Sequence, residues 1–75
     1  MNASPTETYV PASSTNIGRA THDRDAETLE IEFQNGDTYV YSSVPYSVFV
    51  AFQRAGSAGS FFARQIKGRY HYEQS

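Results

Sequence analysis

No cysteine occurs in the 75 residues, so neither a disulfide framework nor a thiolate metal site is available to hold the chain together. No apolar run approaches the roughly 18–20 residues needed to cross a bilayer. The start, Met1-Asn2-Ala3-Ser4-Pro5-Thr6-Glu7, has neither the basic flank nor the apolar stretch of a signal peptide, so a soluble, cytoplasmic protein without a membrane partner is expected. There are no internal repeats and no low-complexity runs. Net charge is also small, −2, which excludes a global attraction to nucleic acid or to an anionic membrane. The length admits one domain at most, and below about 70–80 residues a single core supplies only a few kcal/mol of net stability.

What the chain does have is aromatic surface: five Phe and six Tyr, 15% of the residues, offer large buried area from few side chains. Charge is divided along the sequence. Up to residue 44, Glu7, Asp23, Asp25, Glu27, Glu30, Glu32 and Asp37 stand against Arg19 and Arg24; beyond it, Arg54, Arg64, Lys67 and Arg69 stand against Glu73. The first part nets 2 − 7 = −5 and the second 4 − 1 = +3, the pattern of a polar molecule with a weakly basic face.

Residues 1–12, rich in Ser, Thr, Pro and Ala, read as a flexible tail whose only candidates for docking are Tyr9 and Val10. From Ser13 a short extended segment leads to Ile17, which should point inward, and Asp23–Glu27 reads as an acidic turn. Thr28-Leu29-Glu30-Ile31-Glu32-Phe33-Gln34 alternates apolar and polar, the period of a strand buried on one face. Asn35-Gly36 then suits a type I′ hairpin turn, and Asp37–Ser43 is the returning strand. Tyr39 and Tyr41 share one face of it and Val40 the other; the tyrosines are expected inward, because two rings bury more area than one valine.

Pro45 marks the first position of a helix whose inner face carries Val48, Phe49, Phe52 and Ala55, with Gly56 as its C-terminal cap. A second helix starts at Ser57 or Ser60, turns Phe62 and Ile66 inward, and closes at Gly68. Arg69-Tyr70-His71-Tyr72 alternates again and is expected to return beside the sheet. The fold class is therefore α+β: a small antiparallel sheet, made of a hairpin plus short extended segments, packed against two consecutive α-helices.

These features in this order resemble the KTSC domain. The resemblance is carried by the extended start near Asn16-Ile17, the acidic turn, the strand entering Asn35-Gly36, Tyr39-Val40-Tyr41, and Val44-Pro45 before a helix. The spacing Ser57-x-Gly59-x-x-Phe62-x-x-x-Ile66-x-Gly68-x-Tyr70-x-Tyr72 adds to it. It spans residues 13–73, leaving 74–75 as a C-terminal end. The family takes its name from a C-terminal extension of some lysyl-tRNA synthetases and also occurs as short stand-alone bacterial and phage proteins. The resemblance thus implies RNA binding through that attachment, although no aminoacylation domain is present and a fold does not transfer an activity.

Each candidate site has a functional and a structural reading. Tyr39, Tyr41, Tyr70 and Tyr72 offer a platform on which bases stack, or else core and edge packing. Arg54, Arg64, Lys67 and Arg69 offer a phosphate-binding face, helped by Gly59 and the start of the second helix, or else simply oppose a helix dipole. Ser57-Ala58-Gly59-Ser60 lacks the Walker lysine-serine ending and reads as capping. His22, beside Asp23, reads as part of a solvated turn, and neither it nor His71 belongs to a metal-ligand spacing. Glu30 and Glu32 share the outer face of a strand, with no pocket to shift a pKa.

Catalytic, cofactor and metal residues are accordingly expected to be none. The expected function is a non-enzymatic binding module for RNA, using Arg54, Arg64, Lys67, Arg69, Tyr70 and Tyr72 over a structural motif of Tyr39, Tyr41, Phe62 and Ile66. The alternative is a protein-binding adaptor or phage-encoded inhibitor, working through the acidic face or pairing a strand edge, 28–34 or the extended start, with a partner or a second copy.

Overall fold

A computed structural model describes residues 5–12 and 16–75; the parts of the tail and of the extended start at 1–4 and 13–15 lie outside them. Among the described residues five strands form one antiparallel sheet in sequence order: β1 (Thr6–Tyr9), β2 (Ile17–Asp23), β3 (Thr28–Phe33), β4 (Thr38–Tyr41) and β5 (Tyr72–Gln74). Helix α1 (Tyr46–Arg54) and helix α2 (Ala58–Phe61), which runs directly into the π-helical turn Phe62–Ile66, lie in the chain between β4 and β5. This is the α+β sheet-and-two-helix arrangement expected from the sequence.

The core is where alternation put it, with additions. Leu29 and Ile31 from β3, Tyr41 from β4, Phe49 and Phe52 from α1, and Phe62 and Ile66 from the second helical segment are all buried. Phe33, Tyr39, Val48 and Tyr70 pack against them while half exposed.

Residues Thr6–Tyr9, read from sequence as tail, are instead an edge strand. Their inward residues explain why no hydrophobic signal marked them. Tyr9 packs edge-on against Phe52 with ring centroids 5.4 Å apart, but its neighbour on that face is Glu7, which binds α1 by polar contacts. The Tyr46 hydroxyl donates to Glu7 Oε1 at 2.8 Å, Gln53 Nε2 donates to Oε2 at 3.4 Å, and the Arg24 guanidinium lies 4.0 Å from the centre of the Tyr46 ring.

The Tyr46 and Gln53 hydrogen bonds hold the Glu7 carboxyl below its ordinary pKa, and the Glu7 bond in turn raises that of Tyr46. A carboxyl whose folded pKa is depressed stabilises the fold above its unfolded value and loses that contribution as pH falls through the folded one. Tyr46→Phe is therefore expected to lower the melting temperature at neutral pH. In thermal melts followed by circular dichroism the deficit relative to the parent should shrink once Glu7 is protonated in both. A deficit independent of pH would show that the hydroxyl's contribution does not depend on the charge of Glu7.

Strand β2 is longer and more central than its sequence suggested, and a bulge is the reason. Its pairing with β3 shifts between Ile17 and Arg19, so Ile17 and Ala20, three apart, both face inward with His22. A side chain at Gly18 would approach the Glu32 carbonyl oxygen to 3.3 Å, which suits glycine to the bulge. His22 is thus fully buried, not part of a solvated turn. It stacks on Phe49 at 5.3 Å and 18°, and its Nε2 lies 2.7 Å from the Val44 carbonyl oxygen. That oxygen can only accept, so Nε2 carries the proton; Nδ1 is buried without a partner.

The β2–β3 turn is the expected acidic one, closed by the Asp23 carboxylate accepting from the backbone of Asp25 and Ala26. The β3–β4 turn differs from the type I′ expectation. Phe33 accepts from Gly36 N–H at 3.0 Å and donates to the Asp37 carbonyl at 2.8 Å, and of the three loop residues only Gly36 is left-handed, at φ 98°. This is a three-residue loop with a glycine bulge.

Smaller corrections concern helix ends. Pro45 is extended, with ψ 152°, and precedes the helix instead of opening it; Ala55, also extended, ends α1 in place of Gly56. Ser57 caps α2 by accepting from Ser60 N–H at 3.2 Å, and Gly68, at φ 83°, follows the π turn. The final strand begins at Tyr72, later than the Arg69 start of the alternating segment, although His71 already accepts from Ser42. Strand 28–34 and the described end of the extended start at Ile17, expected as edges open to a partner, lie in interior strands; among the described residues the outer strands are β1 and β5.

Candidate functional site

The register of β4 decides which side chains meet at the open end of the sheet. Tyr41 lies opposite Leu29 and Tyr39 opposite Ile31, so both rings take the inner face while Val40 pairs with Glu30 outside. Across the other edge of β4, Tyr72 lies opposite Tyr41 and so joins that face. Helical cover stops short of it. Tyr72 is 50% exposed, whereas Tyr41 is 3% exposed.

The result is a cluster of aromatic rings at the mouth of the core. Tyr72 lies 5.4 Å from both Tyr39 and Tyr41, Phe33 lies 5.6 Å from Tyr39, and Phe62 lies 5.5 Å from Phe33 and 5.7 Å from Tyr41. These rings line an open groove of about 400 Å³. Its polar rim is Lys67 from the helical side, Asn16 ahead of β2, and Asn35 and Asp37 from the hairpin loop. A second groove of about 370 Å³ shares Asn16, Phe62 and Lys67 with it and continues past Ser57, Gly59 and Ser60.

Burial, and next the neighbouring Tyr72 and Tyr39 hydroxyls, raise the Tyr41 pKa above its ordinary value. The Tyr41 hydroxyl is therefore uncharged at neutral pH, and the groove's acidic and basic side chains are Asp37 and Lys67. Such a surface can stack planar groups and pair one anion and one donor edge at its rim.

Of the residues singled out from sequence, the groove gathers Tyr39, Tyr41, Phe62, Lys67 and Tyr72. Ile66 is buried beneath in the core. Arg64 and Arg69 are exposed next to Lys67, with Arg69 Nε donating to the Arg64 carbonyl oxygen at 3.2 Å. Arg54 is exposed at the end of α1, and Tyr70 packs half-buried against the core; neither lines the groove. Sequence reasoning missed Phe33 and Asp37 as groove residues. The signal for Asp37 was present: at two and four residues before Tyr39 and Tyr41 it shares their side of the strand.

The opposite side of the sheet is acidic. Glu30, Glu32 and Glu73 project there, with Arg19 Nε 3.7 Å from Glu32 Oε1 in an exposed pair worth little on its own. Among the described residues no group of three or more His, Asp or Glu side chains is placed to hold a metal ion, and no helix is long and apolar enough to cross a membrane.

Residues 13–70 match the KTSC domain. The crystal structure of a KTSC domain protein from Yersinia pestis superposes with a TM-score of 0.82 at 35% identity, covering 93% of this chain and 97% of that one. Lysine–tRNA ligase of Nostoc punctiforme is 38% identical over 58 residues, which are 77% of this chain and 10% of the ligase. That of Trichormus variabilis is 42% identical over 48 residues, 64% of this chain and 9% of the ligase. The chain thus spans about a tenth of the length of these ligases.

Proposed function

Because this chain belongs to the KTSC domain family, and related segments sit within lysine–tRNA ligases, we propose that it is a non-enzymatic module that binds RNA in the tyrosine groove. The observation that carries this reading is the half-exposed Tyr72 ring beside Tyr39 and Tyr41, with Lys67 on the facing wall. Base–aromatic stacking tolerates any base and contributes about 1–3 kcal/mol per base. Phosphates would meet Lys67, Arg64 and Arg69 as the strand passes toward the second groove. Arg54 and Tyr70 fall outside this path.

Three cations set the scale of the salt effect. With a slope of about −0.7 per neutralised phosphate on single strands, log affinity should fall against log salt with a slope of about −2. The test is a titration of labelled mixed tRNA at low salt, read by fluorescence anisotropy. The double variant R64E/K67E, both positions exposed, is expected to keep its melting temperature and to bind more than about tenfold more weakly at low salt, with a shallower salt slope.

One observation favours a second reading, a protein partner. Among the described residues β1 and β5 are the outer strands of the sheet, and Val10, 62% exposed, follows β1 directly. Absence of any shift with tRNA at low salt, together with capture of one protein after nuclease treatment, would replace the RNA reading with this one.

A further inference from the structure

Resting on the RNA reading, the geometry points to an unpaired guanine as the preferred occupant of the groove. The argument begins from the strand that forms its floor. Asp37, immediately before β4 and paired with Phe33, alternates with Tyr39 and Tyr41 and lines the groove with them; its backbone lies two residues, about 7 Å of rise, from that of Tyr39. Its carboxylate is thus on the same side as the rings on which a purine would stack, toward one end of the floor.

The carboxylate is exposed but not loose. Asn35 Nδ2 donates to Asp37 Oδ2 at 3.3 Å, and the Asn35 side-chain carbonyl accepts from the Asp37 backbone N–H at 2.9 Å. Loop and carboxylate thereby brace each other. A carboxylate accepts and cannot donate, so it selects for a base edge that offers donors. Guanine presents two adjacent ones, N1–H and the N2 amine, which a carboxylate takes in a bidentate pair; adenine, cytosine and uracil each present one donor group on that edge.

Lys67 decides between a nucleotide and the other planar group that pairs with a carboxylate, an arginine side chain. A cation on the facing wall opposes a guanidinium and attracts a phosphate. The groove therefore presents a stacking floor, an acceptor at one end and a cation on the wall, and a guanine nucleotide complements all three.

The experiment compares three pentanucleotides of uridine carrying guanosine, inosine or adenosine at the centre, by fluorescence anisotropy at low salt, with mixed tRNA as reference. The parent protein should bind the guanosine oligomer about tenfold more tightly than the adenosine one. Inosine, which lacks the N2 amine, should fall between. Asp37→Asn, nearly isosteric and still able to accept from Asn35, should melt close to the parent and abolish the preference, bringing the guanosine-to-adenosine affinity ratio from about ten to about one.

Equal affinity for the three oligomers, or a preference that survives Asp37→Asn, would overturn the guanine assignment with RNA binding intact. So would tighter binding of an arginine-containing peptide than of the guanosine oligomer. If neither the oligomers nor tRNA binds, the RNA reading itself fails, and this inference with it.

Discussion

Deleting Gln34 is expected to leave the domain cooperatively folded, although it removes one of the three loop residues. The deletion leaves Asn35-Gly36 as a two-residue turn of the kind favoured between tightly paired strands. Residues then pair outward from that turn: Phe33 still meets Asp37, Glu32 meets Thr38, and Ile31 meets Tyr39. Since opposed residues share a face, Tyr39 and Tyr41 stay inward; the parent chain turning at Asn35-Gly36 would instead set Gln34 against Asp37 and Ile31 against Val40, sending the tyrosines out to solvent.

The observed three-residue loop avoids that exposure, setting Ile31 opposite Tyr39 and Leu29 opposite Tyr41. Loss of one well-buried aromatic costs about 3–5 kcal/mol, which equals or exceeds the net stability of a domain this small. The parent therefore gives up the two-residue turn to keep the tyrosines buried, and the deletion allows both at once. The variant should show a cooperative thermal transition by circular dichroism and retain its amide dispersion in a nitrogen–proton correlation spectrum. Loss of the cooperative transition on deletion would show that the three-residue loop with its glycine bulge is itself required.

The same loop shows where the sequence could and could not be read. Two expectations made from it conflict: an Asn35-Gly36 type I′ turn and inward tyrosines require opposite registers. The argument from buried area chose the correct face, because burial of two rings outweighs the local preference of a dipeptide. Strand β3, the inner stripe Phe49 and Phe52, and the pair Phe62 and Ile66 were legible because each obeys one uninterrupted period.

Strands β1 and β2 were not, for two different physical reasons. In β1 the inward Glu7 is satisfied by Tyr46 and Gln53, so a polar residue occupies a position where the period calls for an apolar one. In β2 the bulge at Gly18 breaks the period itself, leaving Ile17, Ala20 and His22 on one face at spacings of three and two. His22 then looks like a polar residue before an acidic turn, when its hydrogen bond to the Val44 carbonyl and its stacking on Phe49 make it part of the core.

The site was legible in its parts and not in its assembly. Tyr39, Tyr41, Phe62, Lys67 and Tyr72 were all singled out, yet they come from three separate segments that only the β4–β5 pairing and the π turn bring together. Charge pattern alone grouped Arg54 with the other cations. The end of α1 takes it outside the groove's lining.

Tyr72 is the residue on which stability and recognition should separate. It sits half exposed on a three-residue edge strand, so Tyr72→Ala should lower the melting temperature only slightly. Its ring is also the outermost stacking surface, so the same change should weaken RNA binding by about 5- to 150-fold, the equivalent of one stacked base. Tyr72→Phe keeps the ring and should bind within about twofold of the parent. Tyr41→Ala makes the contrast, since that side chain is buried and packs on Phe62: it should unfold the domain before binding can be measured. If Tyr72→Ala binds tRNA as well as the parent while remaining folded, stacking in this groove is not the mode of recognition.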